Sequence, residues 1–430
     1  MLTIIISVLA CIGTIIVALI KPHVKIKRFD VSIYFMPALL GALALILTGQ
    51  IPLTEVINGL TADLDINPLK ILVLFFSMTI ISVFLDETGF FHYLANLTAQ
   101  RCGRSQVRLF IGFYFLIALV TFFTSNDIVT LTFTPFICYF AKNARINPIP
   151  YLFSQFVSEN TASMYLIIGN PTNIYLGTMA GIDFFTYFVT MLLPTTFAMI
   201  TALVVLLLIF RKQLKQPMNT TNENVKIDDK YLLVFSLSLL IICMAVLAFS
   251  GLINIAMWFI SLVGLIVLII GVLMLALFRR RKPKELFNSF LRAPYDVIPL
   301  VISMFIIVLT LEASGITSSI AGLLNKGNTT FVYGISSTLV ANLINNIPMS
   351  VLYSTLVESA DHSLMATYAA IIGSNIGAYI TPIGALAGIM WLKILKNKGI
   401  KFGFGRYMIY GSIVAVPTLL ASLIGLLIVM

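Results

Sequence analysis

The apolar runs decide what this chain can be. Stretches such as Leu2 to Ile20 and Tyr231 to Phe249 are each roughly 20 residues long, enough for a helix to cross a hydrocarbon core about 30 Å thick. Hydrophobic residues make up 59% of the sequence and charged residues 10%, against about 25% charged in a soluble domain. A membrane barrel would instead show roughly ten-residue strands of alternating polarity. The composition implies an all-α polytopic membrane protein.

Leu2 to Ile20 is expected to be a retained span rather than a cleaved signal peptide. No basic residue precedes it, no small-residue cleavage site follows it, and its positive flank of Lys21, Lys25, Lys27 and Arg28 lies downstream. The formal net charge of +10 sits mostly in alternate loops, as the positive-inside rule requires, and not in a nucleic-acid-binding patch. Cys11, Cys102, Cys138 and Cys243 have no paired spacing, and the three histidines form no His-Glu-x-x-His pattern. No G-x-S-x-G elbow is present either. The chain is read as a non-enzyme with no cofactor and no metal.

Loop charge orders the crossings. The basic stretch "KPHVKIKR" after the first span belongs in the cytoplasm, which puts the N-terminus outside. Further spans are expected at Val31 to Gly49 and Leu69 to Leu85, with Phe90 to Gln100 as an amphipathic surface piece. A hairpin over 108–142, a broken helix over 150–182 and a span from Phe184 to Phe210 complete a first unit, 1–210. A polar, basic linker over 211–230 leads to a second unit, 231–430. There, spans are expected at Tyr231 to Phe249, Leu252 to Phe278, Ile298 to Leu311 and Tyr407 to Val429, with a hairpin over 330–356 and a broken helix over 365–395. The sum is about ten transmembrane helices and two re-entrant hairpins. The first unit begins outside and the second inside, so the two are inverted repeats, with both termini outside a cell membrane.

Two polar clusters interrupt this apolar background. "FFTSNDIVTLTF", Phe122 to Phe133, sets Thr124, Ser125, Asn126 and Asp127 in a row. Its flanks, Arg108 to Phe123 and Ile128 to Ala141, would be about 24 Å and 21 Å long as helices. That is too short for two full crossings, so the stretch is expected to enter and leave on one side with its polar tip near mid-membrane. Non-helical backbone at that depth is tolerated only where protein or a water-filled cavity surrounds it. "VANLINNIPMS", Val340 to Ser350, puts Asn342, Asn345 and Asn346 at a second tip.

The two units share residues in register. "LDETGFFHYLANL" at Leu85 pairs with "LEASGITSSIAGL" at Leu311, and "SND" pairs with "INN". Ser163 precedes Pro171 at the same spacing as Ser374 precedes Pro382. The breaks themselves are "GNPTN", Gly169 to Asn173, and "ITPIG", Ile380 to Gly384. Proline breaks a helix because it lacks an N–H and clashes with the preceding turn. Inverted repeats with discontinuous helices are the signature of secondary transporters, with the solute bound near the midplane.

With "LDETGFF", "SND", "RAPYDVIPLVISMFIIVLTLEASGIT", "NNIP" and "GSNIGAYITPIGALAGIMWL" in view, the chain resembles the arsenite/antimonite permease family. That family lies within the ion-transporter superfamily of citrate, dicarboxylate and sodium/proton carriers. The matching pieces cover most of the chain from Leu85 to Leu392. The resemblance implies proton-linked export of trivalent arsenic or antimony hydroxide, in some members assisted by a cytoplasmic ATPase subunit. "GNPTN" is similar to the carboxylate and general-anion branches, so sodium- or proton-coupled transport of citrate, a dicarboxylate or another inorganic anion stays open. A channel is the alternative of another class. The expected partners are a small solute or ion and the lipid bilayer, with no nucleic acid. A homodimer is one option for the assembly.

The candidate binding residues are Thr124, Ser125, Asn126, Asp127, Asn170, Thr172, Asn173, Asn342, Asn345, Asn346, Ser374, Asn375 and Thr381. Their amides and hydroxyls either meet a solute or merely satisfy backbone groups freed at the breaks. Asp127 is the leading candidate for the coupling proton or cation, because an acid at the bilayer centre costs roughly 2.5–3.5 kcal/mol and tends to be kept for function. Its bland reading is a cap on the second hairpin arm. Glu159, inside a span, is either a proton relay or a paired interior acid, and Glu312 is weighed in the same way. Asp86 and Glu87, at a cytoplasmic span end, are expected to be structural, either snorkelling to the interface or pairing with Arg101 or Arg104.

Overall fold

The computed structural model describes residues 1–20, 23–26, 29–61, 67–218, 227, 229–360 and 362–430. Lys21, Lys27, Arg28, Asp63, Asp65, Asp361 and linker residues 219–226 and 228 lie outside the described residues.

Helix α1 (Leu2–Ile20) coincides with the first apolar run. Strands β1 (His23–Ile26) and β2 (Phe29–Ser32) follow as an antiparallel hairpin with Val24 opposite Val31. The second span is therefore shorter than Val31 to Gly49. Val31 belongs to a strand, and α2 (Met36–Leu47) starts where Pro37 occupies the first turn, a position at which the missing N–H costs no hydrogen bond. At 12 residues, α2 is about 18 Å long. Gly49, at φ 69°, makes the turn into α3 (Leu53–Thr61).

The succession continues with α4 (Pro68–Glu87), α5 (Phe90–Cys102), α6 (Gln106–Phe123) and α7 (Asn126–Ala144). Helix α8 (Ile149–Ala162) ends in two 3-10 turns, Ser163–Tyr165 and Ile167–Gly169, before α9 (Pro171–Met179) and the 27-residue α10 (Phe184–Phe210). The hairpin arms α6 and α7 reach past Arg108 and Ala141 to Gln106 and Ala144. They are thus longer than expected, about 27 Å and about 28 Å, and the kink at Thr124 and Ser125 separates them.

Past the linker come α11 (Lys230–Ala248), α12 (Ser250–Ile253), α13 (Met257–Phe278) and the amphipathic α14 (Lys284–Arg292). Then α15 (Val297–Ala313), α16 (Ile316–Leu324), α17 (Thr329–Ile344), α18 (Asn346–Glu358), α19 (Ser363–Gly377), α20 (Leu386–Asn397) and α21 (Phe404–Val429) repeat the order of α4 to α10. Among the described residues, seven helical stretches are long and apolar enough to cross a membrane by length and composition.

Packing is reciprocal. The outgoing hairpin arm α7 lies on α20, and its counterpart α18 lies on α9. Helix α10 runs along α21, while α2 packs on α15 and α13 on α4. Each hairpin therefore leans on the far half of the other unit's broken helix. Serine, threonine and asparagine are buried at the centre of the fold, and Ile270, Leu273, Met274 and Leu277 of α13 face outward. A polar cluster within a mainly apolar core, under an apolar exterior, suits a chain whose solvent is lipid, where every backbone group must be satisfied within the protein.

Candidate substrate and coupling site

The first helix break meets the opposite half of the chain at one asparagine. Asn375, near the end of α19, donates Nδ2 to Asn173 Oδ1 at 2.7 Å. Its Oδ1 accepts from Asn170 Nδ2 at 2.8 Å, with Ser163 Oγ also 2.8 Å away. The hydroxyls of Thr172 and Ser374 lie 3.0 Å apart across the same junction. Asn173 Nδ2 donates to the Ser163 carbonyl at 2.8 Å, in the break itself. Local sequence explains the arrangement. Pro171 starts α9, and Asn170 caps it by accepting from Thr172 N–H. All of these side chains are buried. The node is neutral, rich in donors and acceptors, and has no cysteine or cation among its partners.

The first tip joins this node through α8. Thr124 folds back on its own helix, Oγ1 donating to the Val120 carbonyl at 2.8 Å. Asn126 is buried and donates Nδ2 to Asn160 Oδ1 at 3.0 Å. Ser125 is buried with no hydrogen-bond partner for its hydroxyl. Asp127 is half-buried, in the first turn of α7, and lines a cavity of about 70 Å³. Its backbone N–H is taken by Asn126 Oδ1, whereas its carboxylate has no ion-pair partner among the described residues.

Glu159 sits one turn from the break. It is fully buried, accepting from Thr130 Oγ1 of the hairpin arm and from Gln155 Nε2 at 2.9 Å. Glu159 is thus a hydrogen-bonded interior acid tying α8 to α7. Glu312 is exposed at the end of α15 and is not brought to the site.

The second tip is tied mainly to backbone. Asn345 takes a φ of 75°, donates Nδ2 to the Ile383 carbonyl at 2.8 Å and caps α18. Asn346 donates its backbone N–H to Gly384 at 3.1 Å. Asn342 donates to the Gly377 carbonyl at 2.9 Å and accepts from the Thr381 hydroxyl at 2.7 Å. These four residues satisfy groups freed at the second break, the structural role weighed above. The tips do not bond to each other; each is held by the broken helix of its own unit.

Asp86 and Glu87 pair with Arg292 and not with Arg101 or Arg104. Arg292 Nη2 lies 2.7 Å from Asp86 Oδ2, and its Nη1 binds Glu87. Thr132 of α7 donates to the same Asp86 oxygen at 2.9 Å. This cluster locks α4, the first hairpin and the approach to α15 together. Asn160, Thr130 and Gln155 also join the site, although none of them was among the expected residues. The polar run Ser158 to Ser163 inside an apolar span was the available signal for Asn160.

Comparison with known proteins gives a consistent pattern. The model of the citrate transporter family matches residues 29–370. The arsenical pump membrane protein of Escherichia coli is 28% identical over 374 residues, covering 82% of this chain and 84% of its own. The protein of the same name from Yersinia enterocolitica is 28% identical over 382 residues, with the same coverage. A 46 kDa membrane protein of Mycobacterium leprae is 26% identical over 382 residues, covering 83% and 85%. The crystal structure of the Alcanivorax borkumensis YdaH transporter superposes with a TM-score of 0.58 at 12% identity, covering 99% of this chain and 96% of its own. That last likeness is one of fold.

Proposed function

This chain belongs to the citrate transporter family, CitMHS, and we propose that it is a secondary-active carrier exporting arsenite or antimonite in exchange for protons. One observation carries the substrate reading: the node where the first break meets α19 is built from Ser163, Asn170, Thr172, Asn173, Ser374 and Asn375, all neutral. Arsenite near neutral pH is an uncharged trihydroxide, which such groups bind by hydrogen bonds alone. Citrate is a polyanion and calls for guanidinium or ammonium partners. The arsenical pump relatives named above support the same choice.

The mechanism follows from the bonds that a solute must replace. The contacts of Asn375 and Ser374 join the two units, so a hydroxyl-bearing solute entering the node takes over bonds that now hold the units together. Exchange of those bonds frees the hairpins to shift against the opposite broken helices, giving alternating access. Hydroxyl and amide ligands suit release, since thiolates would hold a soft trivalent centre tightly. Asp127, facing a cavity and without an ion-pair partner among the described residues, carries the coupling proton.

The test is arsenite uptake into everted vesicles from cells expressing the chain. Uptake driven by an imposed proton gradient, abolished by a protonophore and accompanied by growth protection on arsenite, is expected. Asp127→Asn should lose gradient-driven accumulation and keep solute counterflow. Accumulation of labelled citrate with sodium, and none of arsenite, would overturn the reading in favour of the carboxylate alternative.

A further inference from the structure

We propose that Asp127 and Asp296 together form a binding site for a small monovalent cation, hydronium or sodium, with one carboxylate supplied by each half of the chain. The idea deepens the coupling role given to Asp127 and rests on that reading. Asp296 adds a second acid to which no role has yet been given.

Both carboxylates line the cavity beside the first tip. At about 70 Å³ it has room for a cation with a water molecule or two, since each water needs roughly 10–15 Å³ measured in this way. Neither acid is occupied with the work that its position would suggest. Asp296 stands at the N-cap of α15 yet makes no side-chain capping bond, and Asp127 has no ion-pair partner among the described residues.

One hydroxyl points to a ligand independently. Among the described residues Ser125 Oγ has no hydrogen-bond partner, although the residue is only 5% exposed. It lines the same cavity as Tyr34, whose phenol faces Asp296. A buried hydroxyl left unpaired costs free energy, and oxygen donors of this kind suit a hard cation.

The cavity's own cation does not neutralise the pair. Arg292 lines it too, but Asp86 and Glu87 hold its guanidinium. Glu159, the remaining nearby acid, is engaged by Thr130 and Gln155 on the α8 side. The rest of the wall includes Phe75, Leu131 and Leu386. Two carboxylates against an apolar wall, with no compensating charge, favour uptake of a single positive charge.

The test uses full-length protein in lipid nanodiscs and dicyclohexylcarbodiimide, which modifies protonated carboxyls in apolar surroundings. The labelled residue is assigned by peptide mass spectrometry. Labelling at Asp127 or Asp296 is expected. If sodium chloride protects and choline chloride does not, the cation is sodium. If sodium has no effect and labelling falls at alkaline pH, it is hydronium. Asp296→Asn should reduce Asp127 labelling several-fold or weaken sodium protection about tenfold, whereas Asp296→Glu should preserve both. Should the Asn variant fail to elute as a monodisperse species, the wild-type label and the Glu variant decide. Labelling at neither aspartate, or an Asp127 response unchanged in Asp296→Asn, overturns the proposal. A protein that passes this test yet moves no arsenite sinks the substrate reading and leaves the cation site standing.

Discussion

Asn375 of α19 and Asn173 of α9 are joined by a 2.7 Å hydrogen bond, although they lie on the broken helices of opposite halves. The same Asn375 amide accepts from Asn170. One side chain thus ties the first break to α19 of the other half.

Asn375→Ala should therefore damage both stability and transport. Removing the amide orphans Asn170 Nδ2 and leaves Asn173 Oδ1 with only the 3.5 Å contact from Thr172 Oγ1, in a buried setting where a group left unpaired costs about 1–3 kcal/mol. A lower thermal unfolding midpoint and loss of solute counterflow are expected. A variant with unchanged midpoint and counterflow would show that the node is neither a keystone nor a binding site.

Close helix approach gives a second prediction. A Cβ on Gly373 of α19 would lie 2.0 Å from Ser337 Oγ and 2.2 Å from the Gly334 carbonyl of α17. Small residues at such crossings let helices pack where lipid supplies no hydrophobic drive. Gly373→Ala should destabilise by about 1–3 kcal/mol, as overpacking does. Gly322→Ala in α16 meets nothing within 4 Å and should be neutral or stabilising by about 0.5–1 kcal/mol. Thermal unfolding of both variants in one detergent compares them directly.

These cases show which parts of the molecule were legible from sequence. Apolar runs such as Leu2 to Ile20 and breaks at Pro171 and Pro382 act through local backbone chemistry, so they could be read. The partner of Asp86 could not, because Arg292 reaches it only once α14 has docked on α4. Loop charge suggested Arg101 or Arg104, and tertiary packing chose otherwise. The start of α2 was misplaced because an apolar residue such as Val31 suits a strand as well as a membrane helix. Glu159 was noticed as an interior acid, but its partners Thr130 and Gln155 depend on how α7 crosses α8.

The Asp86–Arg292 contact supports a third prediction. The Asp86 side chain is 8% exposed and that of Arg292 is 32% exposed. Deleting one partner of a fully buried pair costs about 3–5 kcal/mol, so Arg292→Met should cost somewhat less in this partly wet setting. Asp86→Asn in the same chain should restore part of the loss, because it removes one of the two stranded charges, Glu87 being the other. A double variant no better than Arg292→Met alone would refute the pairing argument.

Acid should act on Asp229, which lies outside the spans at the start of α11. Burial alone would push its carboxyl up. Hydrogen bonds from the Leu232 N–H, the Arg279 guanidinium and the Tyr231 N–H, with the charge of Arg279, outweigh that effect and hold it below the usual carboxylate range. A native value lowered in this way stabilises the fold fully above the ordinary carboxyl range, about 3.9. The contribution fades as pH falls through that range and vanishes below the native value. Asp229→Asn keeps a capping oxygen and loses the charge. Its midpoint should trail that of the wild type at pH 7, and the gap should close on acidification toward pH 3. A gap independent of pH would assign the effect to the cap alone.

Asn160 separates positioning from binding. It accepts from Asn126 at the first tip and returns its own Nδ2 to the Phe156 carbonyl at 2.8 Å. It thus links the hairpin to α8 without being among the partners of Asn375. Asn160→Ala should let the tip move, and Asp127 with it, while the node keeps its bonds. The expected kinetic signature is a maximal rate of proton-driven uptake reduced by roughly tenfold, the scale of about 1.4 kcal/mol, with KM for arsenite changed less than threefold. Asn160→Asp retains the acceptor for Asn126 and should recover part of the rate. If KM rises while the maximal rate holds, Asn160 belongs to the solute site and the tip is not what it controls.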